Sequence, residues 1–369
     1  MRPKPSRQRV VLHAGTVGGA GTAVALRLAL AGLHDSASAD GQLSVVAVVP
    51  RGWPDPPPAG ITFLRRSKIV TLAGELVGHP RADVVIGFAD RLPLRRTERA
   101  ILVIQNPHVS SLSRNADFGW RSRAKFSVLR MWARFSARRA TEIVCSTPDS
   151  AQSVTDGLAA NPSIVRVVPI PADIGSLTAG PTANTIGRIV SIGDRYRYKR
   201  VDVAIDAVAA FARRVGRPVE FRHVGASRDP IADQLIDEAI ARAAGSGVTV
   251  RLLGSLPHSE ALAELAAADV ALFTSMTETQ GIPVAEALAL GVPVVARDIA
   301  PFRFVGVDVA ALVPSGSAQD GAGMADDDAA AFAEGLVGIV SPEVRQDMSA
   351  RGRRLAVDGR AWDLLGQPQ

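Results

Sequence analysis

"TSMTETQGIPVAEALALGVPVVARD", residues 274–298, decides how the rest of the chain reads. The apolar run "VALF" (270–273) stands before it and has the length and composition of a buried strand. The polar loop "TSMTETQG" follows. Pro283 then sits where a helix can begin, because its fixed φ suits the first turn and its missing N–H has no partner there anyway. Gly281, just before, lets backbone N–H groups approach a ligand closely. Those N–H groups and the helix dipole favour a phosphate at this end. Glu278 lies in the loop, and Glu286 lies about one turn inside the helix. A carboxylate at Glu286 can accept hydrogen bonds from the paired hydroxyls of a sugar. Glu278 would face a different part of the same ligand.

Short apolar runs alternate with longer amphipathic segments along the whole chain, which predicts a parallel α/β organisation. Strands are expected at 9–15, 43–50, 83–89, 100–106, 142–147 and 164–171. The small, polar stretch "SLTAGPTANT" (176–185) reads as a linker. A second set is expected at 187–194, 219–225, 248–254, 270–275, 293–298 and 310–314. The expectation is two doubly wound domains facing each other across a cleft: residues 1–180, residues 187–345, and a last segment, 346–369, that packs back on the first domain. Open parallel sheets bind ligands beyond the carboxyl ends of their strands, and a cleft between two of them is where a site is expected.

At 369 residues, two domains are favoured over one. Hydrophobic residues make up 47% and charged residues 21%, so there is enough apolar material for packed cores and disorder is not expected over most of the length. Cys145 is the sole cysteine, which excludes an intrachain disulfide and a cysteine-based zinc site. The basic start "MRPKPSRQR" and the apolar "TAVALRLALAGL" could be read as a signal peptide. The interruption by "HAGTVGGAG" and Arg27 favours a strand, glycine loop and helix instead. No run approaches the ~18 apolar residues of a membrane span. Residues 1–180 carry 23 Lys and Arg against 12 Asp and Glu, and residues 181–369 carry 19 against 24. The imbalance suggests that only the front half meets something anionic.

The block from about 188 to 305 resembles the family 4 glycosyltransferases, which have the two-domain GT-B fold. Glu278 and Glu286 meet that family's E-x7-E pattern in a strand–loop–helix setting, and "EALALGVPVVARD" is similar to its following segment. The resemblance implies that Glu286 binds the ribose of a nucleotide-sugar and that Glu278 lies near the donor sugar. It implies that Thr279, Gln280 and Gly281 hold the diphosphate through backbone N–H groups. The family also places an arginine and a lysine after the first strand of this domain. Lys199 in "SIGDRYRYKR" falls at the lysine position. Asp194 occupies the arginine position, with Arg195 next to it as a substitute and Arg197 and Arg200 as further candidates.

The first half resembles the family more weakly. The loop "HAGTVGGAG" is similar to the family's first loop, where Gly18 and Gly19 would approach the donor. Its glycines do not spell G-x-G-x-x-G, which disfavours a dehydrogenase. The family's histidine near the transferred sugar aligns with Gln105 or Asn106, with His108 slightly later. Only Pro169 and Asp173 of "VVPIPAD" match the family's P-N-G-x-D turn, and no chemistry is assigned there.

Most of the basic excess lies in 114–139. There Val128, Met131, Trp132 and Phe135 fall on one helical face and Arg123, Arg130, Arg134 and Arg138 on another. One reading is a core-facing helix with a solvated basic back. The other is a patch that meets anionic lipid headgroups or a lipid-linked phosphate acceptor. No nucleic-acid-binding module appears.

The resemblance therefore implies a retaining glycosyltransferase that moves a sugar from a nucleotide-sugar to a glycan or lipid-linked acceptor, as in cell-envelope polysaccharide synthesis. The protein would be cytoplasmic, with peripheral contact to the inner face of the membrane. No metal and no cofactor besides the donor are expected: no D-x-D occurs in a suitable place, and "MADDDAA" (324–330) reads as a helix start. An epimerase of the same plan and a non-catalytic nucleotide-sugar-binding partner are the alternatives, and Asp194 favours the latter. A phosphorylase would need a cofactor lysine, for which nothing speaks.

Overall fold

Thirteen strands among the described residues fall into two parallel sheets, each flanked by helices. The computed structural model describes residues 7–41, 43–77, 81–88, 90–110, 120–180, 183–306, 308–314, 324–355 and 362–366. It divides into two compact units, 1–170 with 360–369, and 171–359.

The first unit holds β1 (Gln8–His13), α1 (Ala20–Asp40), β2 (Leu43–Pro50), β3 (Ile61–Arg66), α2 (Lys68–Val77), β4 (Val84–Gly87), β5 (Arg99–Val103), α3 (Pro107–Ser110), α4 (Trp120–Ala137), β6 (Glu142–Cys145), α5 (Pro148–Leu158) and β7 (Val165–Val167). Its sheet order is β3-β2-β1-β4-β5-β6-β7. All four residues of β4 are buried, because helices cover both faces of a parallel sheet and the strands become continuous apolar runs. The strand at 61–66 was not expected from the sequence. It is an edge strand paired only to β2, and a half-buried edge ending in Arg65 and Arg66 has no unbroken apolar run to announce it.

The second unit holds β8 (Arg188–Ile192), α6 (Val201–Val215), β9 (Val219–Val224), α7 (Pro230–Arg242), β10 (Val248–Gly254), α8 (His258–Ala266), β11 (Val270–Phe273), α9 (Ile282–Leu290), β12 (Val294–Arg297), α10 (Ala300–Gly306), β13 (Ala311–Val313), α11 (Met324–Gly338) and α12 (Pro342–Leu355). The order β10-β9-β8-β11-β12-β13 reverses direction between β8 and β11. Val203, Ala204, Ile205, Ala207, Val208 and Phe211 of α6 are sealed against the sheet, while Arg213 and Arg214 close its exposed last turn.

The end of the chain returns to the first unit. The Trp362 backbone N–H donates to the Leu28 carbonyl at 2.8 Å, its indole N–H donates to the Val168 carbonyl at 3.1 Å, and its ring meets Phe88 edge-on. Gly32 of α1 leaves the room: a Cβ there would lie 2.3 Å from the Trp362 carbonyl oxygen. α12, by contrast, packs on α9 in the second unit. Of the segment 346–369, residues 356–361 and 367–369 lie outside the described residues.

The helix α4 turns opposite to the core-facing reading. Met131, Val128 and Phe135 are 68%, 57% and 47% exposed, whereas Ala133 and Ala137 are buried. Arg130, expected on the solvated back, points inward and donates to the carbonyls of Ser110 and Gly157. The inward side of the helix instead carries Ala133 and Ala137, with Leu129 beside them, packed into the core of the first unit. Residues 114–119 of the basic segment lie outside the described residues.

Candidate functional site

The reversal between β8 and β11 opens a crevice at the carboxyl ends of these two strands, and their following loops meet there. Lys199 comes from the loop after β8 and Glu278 from the loop after β11. They form an ion pair, Lys199 Nζ to Glu278 Oε1 at 2.5 Å, with both side chains 15% exposed. The loops are fastened below that pair. The Thr274 hydroxyl reaches the carbonyls of Lys199 and Arg200 at 3.0 and 2.8 Å, and the Met276 N–H donates to the Tyr198 carbonyl at 2.7 Å. Arg297, at the end of β12, donates to the Thr274 carbonyl and pairs with Asp328 at 2.9 Å, both members being sealed from solvent. A buried pair of this kind fixes geometry more surely than it adds stability.

The other cations of 195–200 each have a carboxylate of their own. Arg195 pairs with Asp233 of α7 at 2.7 Å and donates to the Gly225 carbonyl. Arg197 pairs with Asp229, and Arg200 with Asp202. Asp194 accepts from the Ala226 N–H at 3.0 Å and from Arg228 at 3.1 Å. The structure therefore joins Lys199 to Glu278 and engages Arg195 with α7. The loops after β8 and β9 touch through glycine: a Cβ on Gly225 would lie 1.9 Å from the Gly193 oxygen. His223, buried at the end of β9, is held down to about 3 by burial and by the charges of Arg195 and Lys199, so it is neutral at physiological pH.

At the start of α9, Gly281 takes φ +87, and a Cβ there would lie 2.5 Å from the Phe302 ring. No residue but glycine fits. As the residue preceding the helix it supplies no side-chain cap, so the helix end presents backbone donors and its positive dipole end. Gln280 and Gly281 are buried and Thr279 is half-buried.

Glu286, one turn on, is buried at 3% exposure. Its Oε1 lies 2.8 Å from Nε2 of His258, the first residue of α8. Burial pushes the Glu286 pKa up, the His258 hydrogen bond opposes that rise, and the charge of Asp173 adds to it. The carboxylate is therefore enclosed, but by a polar partner whose own side chain is 23% exposed. The histidine was not singled out in the sequence. The available signal was its place in "GSLPHSEAL", a histidine at a helix start directly after a strand.

The first unit has a parallel arrangement where β1 and β4 diverge. Buried Arg91 donates to the Thr16 hydroxyl at 2.6 Å and lies over the Trp132 ring. Gly19 precedes α1 without a side-chain cap. Neither Gly18 nor Gly19 is needed for packing, because a Cβ on either meets nothing closer than 3.7 Å. The Asn106 side-chain oxygen accepts the His108 N–H at 3.0 Å, and the Asn106 backbone N–H donates to Asp90. His108 is buried with its ring 5.1 Å from that of Phe126. Among the described residues there is no group of three or more histidine, cysteine or acidic side chains placed to hold a metal.

Residues 186–341 match the family model described as glycosyl transferases group 1. No curated protein sequence matches the chain. Among solved structures, the chain is similar to a sucrose-phosphate synthase from Thermosynechococcus elongatus (15% identity, 97% of this chain and 96% of that one, TM-score 0.70). It is also similar to WaaG, a glycosyltransferase involved in lipopolysaccharide biosynthesis (17%, 96% and 97%, TM-score 0.64), and to Anabaena HepE in complex with UDP and glucose (14%, 95% and 95%, TM-score 0.63). The fold is GT-B.

Proposed function

From a glycosyltransferase domain of group 1 spanning residues 186–341, we propose that the chain transfers a sugar, with retention, from a nucleotide-sugar to a hydroxyl of a glycan or lipid-linked acceptor. One observation carries the reading. A buried glutamate, Glu286, stands one turn inside a helix whose start presents backbone donors, beside the strand reversal that brings Lys199 to Glu278. Similar proteins solved with UDP or UDP-glucose support a nucleotide donor.

In this scheme Glu286, held by His258, accepts hydrogen bonds from the ribose hydroxyls. The N–H groups of 279–281 and the end of α9 bind the diphosphate. Lys199 leaves Glu278 to neutralise the charge that develops as the bond from the anomeric carbon to the phosphate oxygen breaks, and Glu278 turns to the donor sugar. The acceptor oxygen bonds to the same face of the anomeric carbon, and its proton passes to the departing phosphate. Charge is balanced by these residues, and no metal is assigned. Gly18, Gly19 and Asn106, at the carboxyl edge of the first sheet, are assigned to the donor: the glycines to its phosphates or sugar, Asn106 to a sugar hydroxyl. Arg195 and His108 keep structural contacts and act by holding that edge and α7 in place.

The exposed apolar stripe of α4, with Arg123, Arg134 and Arg138 also exposed, fits peripheral contact with an anionic membrane at the cytoplasmic face, where a lipid-linked acceptor of cell-envelope synthesis would lie. Among the described residues no helix is long and apolar enough to cross a membrane.

Thermal-shift titration with UDP, GDP, ADP and TDP and their sugars tests the reading. One nucleotide raises the melting temperature of the wild type, and Glu286→Ala abolishes the rise. A wild type that none of them stabilises would defeat the proposal. Stabilisation without turnover on crude lipid acceptors would favour a non-catalytic binding partner, the reading to which Asp194 points.

A further inference from the structure

The positive charge of the first unit gathers at the amino-terminal ends of its strands, the edge opposite Gly18 and Gly19. Two cavities adjoin there. One, of about 250 Å³, is lined by Arg95, Arg96, Arg138 and Arg139 beside Leu92 and Pro93. The other, of about 410 Å³, shares Arg95 and Arg96 and adds Arg7, Arg9 and Arg81. The second has the size of a small-molecule site. Asp83 is the one carboxylate among the described lining residues, and it is engaged with the backbone N–H of Arg9 at 2.7 Å.

Four separate stretches of chain supply these arginines. The neighbouring order β1-β4-β5-β6 brings their strand starts together. The contacts that hold several of them are to carbonyls, which fix a guanidinium without neutralising it. Arg139 donates to the carbonyls of Pro93 and Leu94, and Arg9 to that of Arg81. Burial, and then the charge of Arg96, hold the Arg139 pKa below its usual value. Like charges gathered around a concavity repel, and an anion in the concavity relieves the repulsion. Arginine forks match phosphate oxygens two at a time.

We propose that these joined cavities bind an anion carrying two or more phosphate groups, at a site separate from the donor crevice of the second unit. The chemistry is shared by a soluble polyphosphate and by the headgroups of an anionic lipid surface. The inference does not depend on the glycosyl-transfer reading, and its test reads binding alone.

Isothermal titration of the full chain with inorganic tripolyphosphate gives the first arm. Sedimentation with phosphatidylglycerol–phosphatidylcholine vesicles, against phosphatidylcholine alone, gives the second. Arg81→Gln with Arg96→Gln removes two exposed cations from the cavities, neither of them on or beside α4. Arg51→Gln with Arg213→Gln removes the same charge elsewhere. Binding weakens about tenfold or more in the cavity variant, less than about twofold in the control, and falls more steeply with salt in the wild type. Lys199→Ala, which alters the donor crevice, leaves it in place. Saturable tripolyphosphate binding that the cavity variant loses identifies a soluble ligand, and loss in that variant of binding to the anionic vesicles alone identifies a lipid headgroup. Equal loss in both arginine pairs, or no saturable binding of either probe to the wild type, overturns the proposal.

Discussion

Burial raises the pKa of Glu286 above the usual 4.5 of a glutamate. An acid whose folded pKa is raised holds its proton more tightly in the fold than in the open chain. Its contribution to stability is then fullest below pH 4.5, falls as pH rises from there through the folded pKa, and stays low beyond it. At neutral pH the fold bears the cost of an enclosed carboxylate, eased by His258. Glu286→Gln removes that cost. The ligand-free variant is expected to melt higher than the wild type at pH 7, with the gap closing toward pH 4.5, while its nucleotide-induced shift is lost. Parallel melting profiles across that range would refute the assignment. This is the strain a binding residue stores when its partner is a ligand. The two glutamates were legible because their spacing sits on a strand–loop–helix pattern. The partnership with His258 was not, because it joins α8 to α9 across 28 positions and no local periodicity records it. Arg195 shows the same limit: its charge is evident in the sequence, its commitment to Asp233 is not.

At the scale of elements, the strands declare themselves where both faces are covered. All twelve expected strands are present, with ends shifted by a few residues, and the missed β3 lies at an edge. The helix α4 shows why a helical stripe does not name its own partner. Val128, Met131 and Phe135 lie on one side and Ala133 and Ala137, with Leu129, on the other, and it is the second that packs into the core of the first unit. The consequence is testable. Met131→Ser with Val128→Ser should change stability by no more than about 0.5 kcal/mol per site, since both side chains already face solvent. Ala133→Leu, at 0% exposure, should cost about 1–3 kcal/mol by overpacking. Chemical denaturation checks both. If the stripe meets a bilayer, the serine pair also loses binding to anionic vesicles while keeping its fold, and retained binding would remove α4 from that role.

At the scale of the whole molecule, the chain leaves its first unit at residue 170 and comes back to it at the end. The return is anchored by Trp362, 2% exposed and bonded to both α1 and the end of the first sheet. Arg99 and Arg166 add hydrogen bonds to the carbonyls of Leu365 and Leu364. The first unit is thus completed by residues that follow the second, and truncating that tryptophan should weaken it as a core substitution would. Trp362→Ala is expected to cost about 3–5 kcal/mol. Cys145 offers a local gauge. It is the single cysteine, fully buried in the first unit, and burial pushes its thiol up to about 12. A thiol reagent can therefore label it only when that unit opens. Where reclosing outpaces labelling, a loss of 3–5 kcal/mol raises the rate by about a hundredfold to a thousandfold or more. The Arg297–Asp328 lock lies in the other unit, so Arg297→Met should leave the labelling rate near that of the wild type. Equal rates for the wild type and Trp362→Ala would show that the returning segment rests on the first unit without holding it closed.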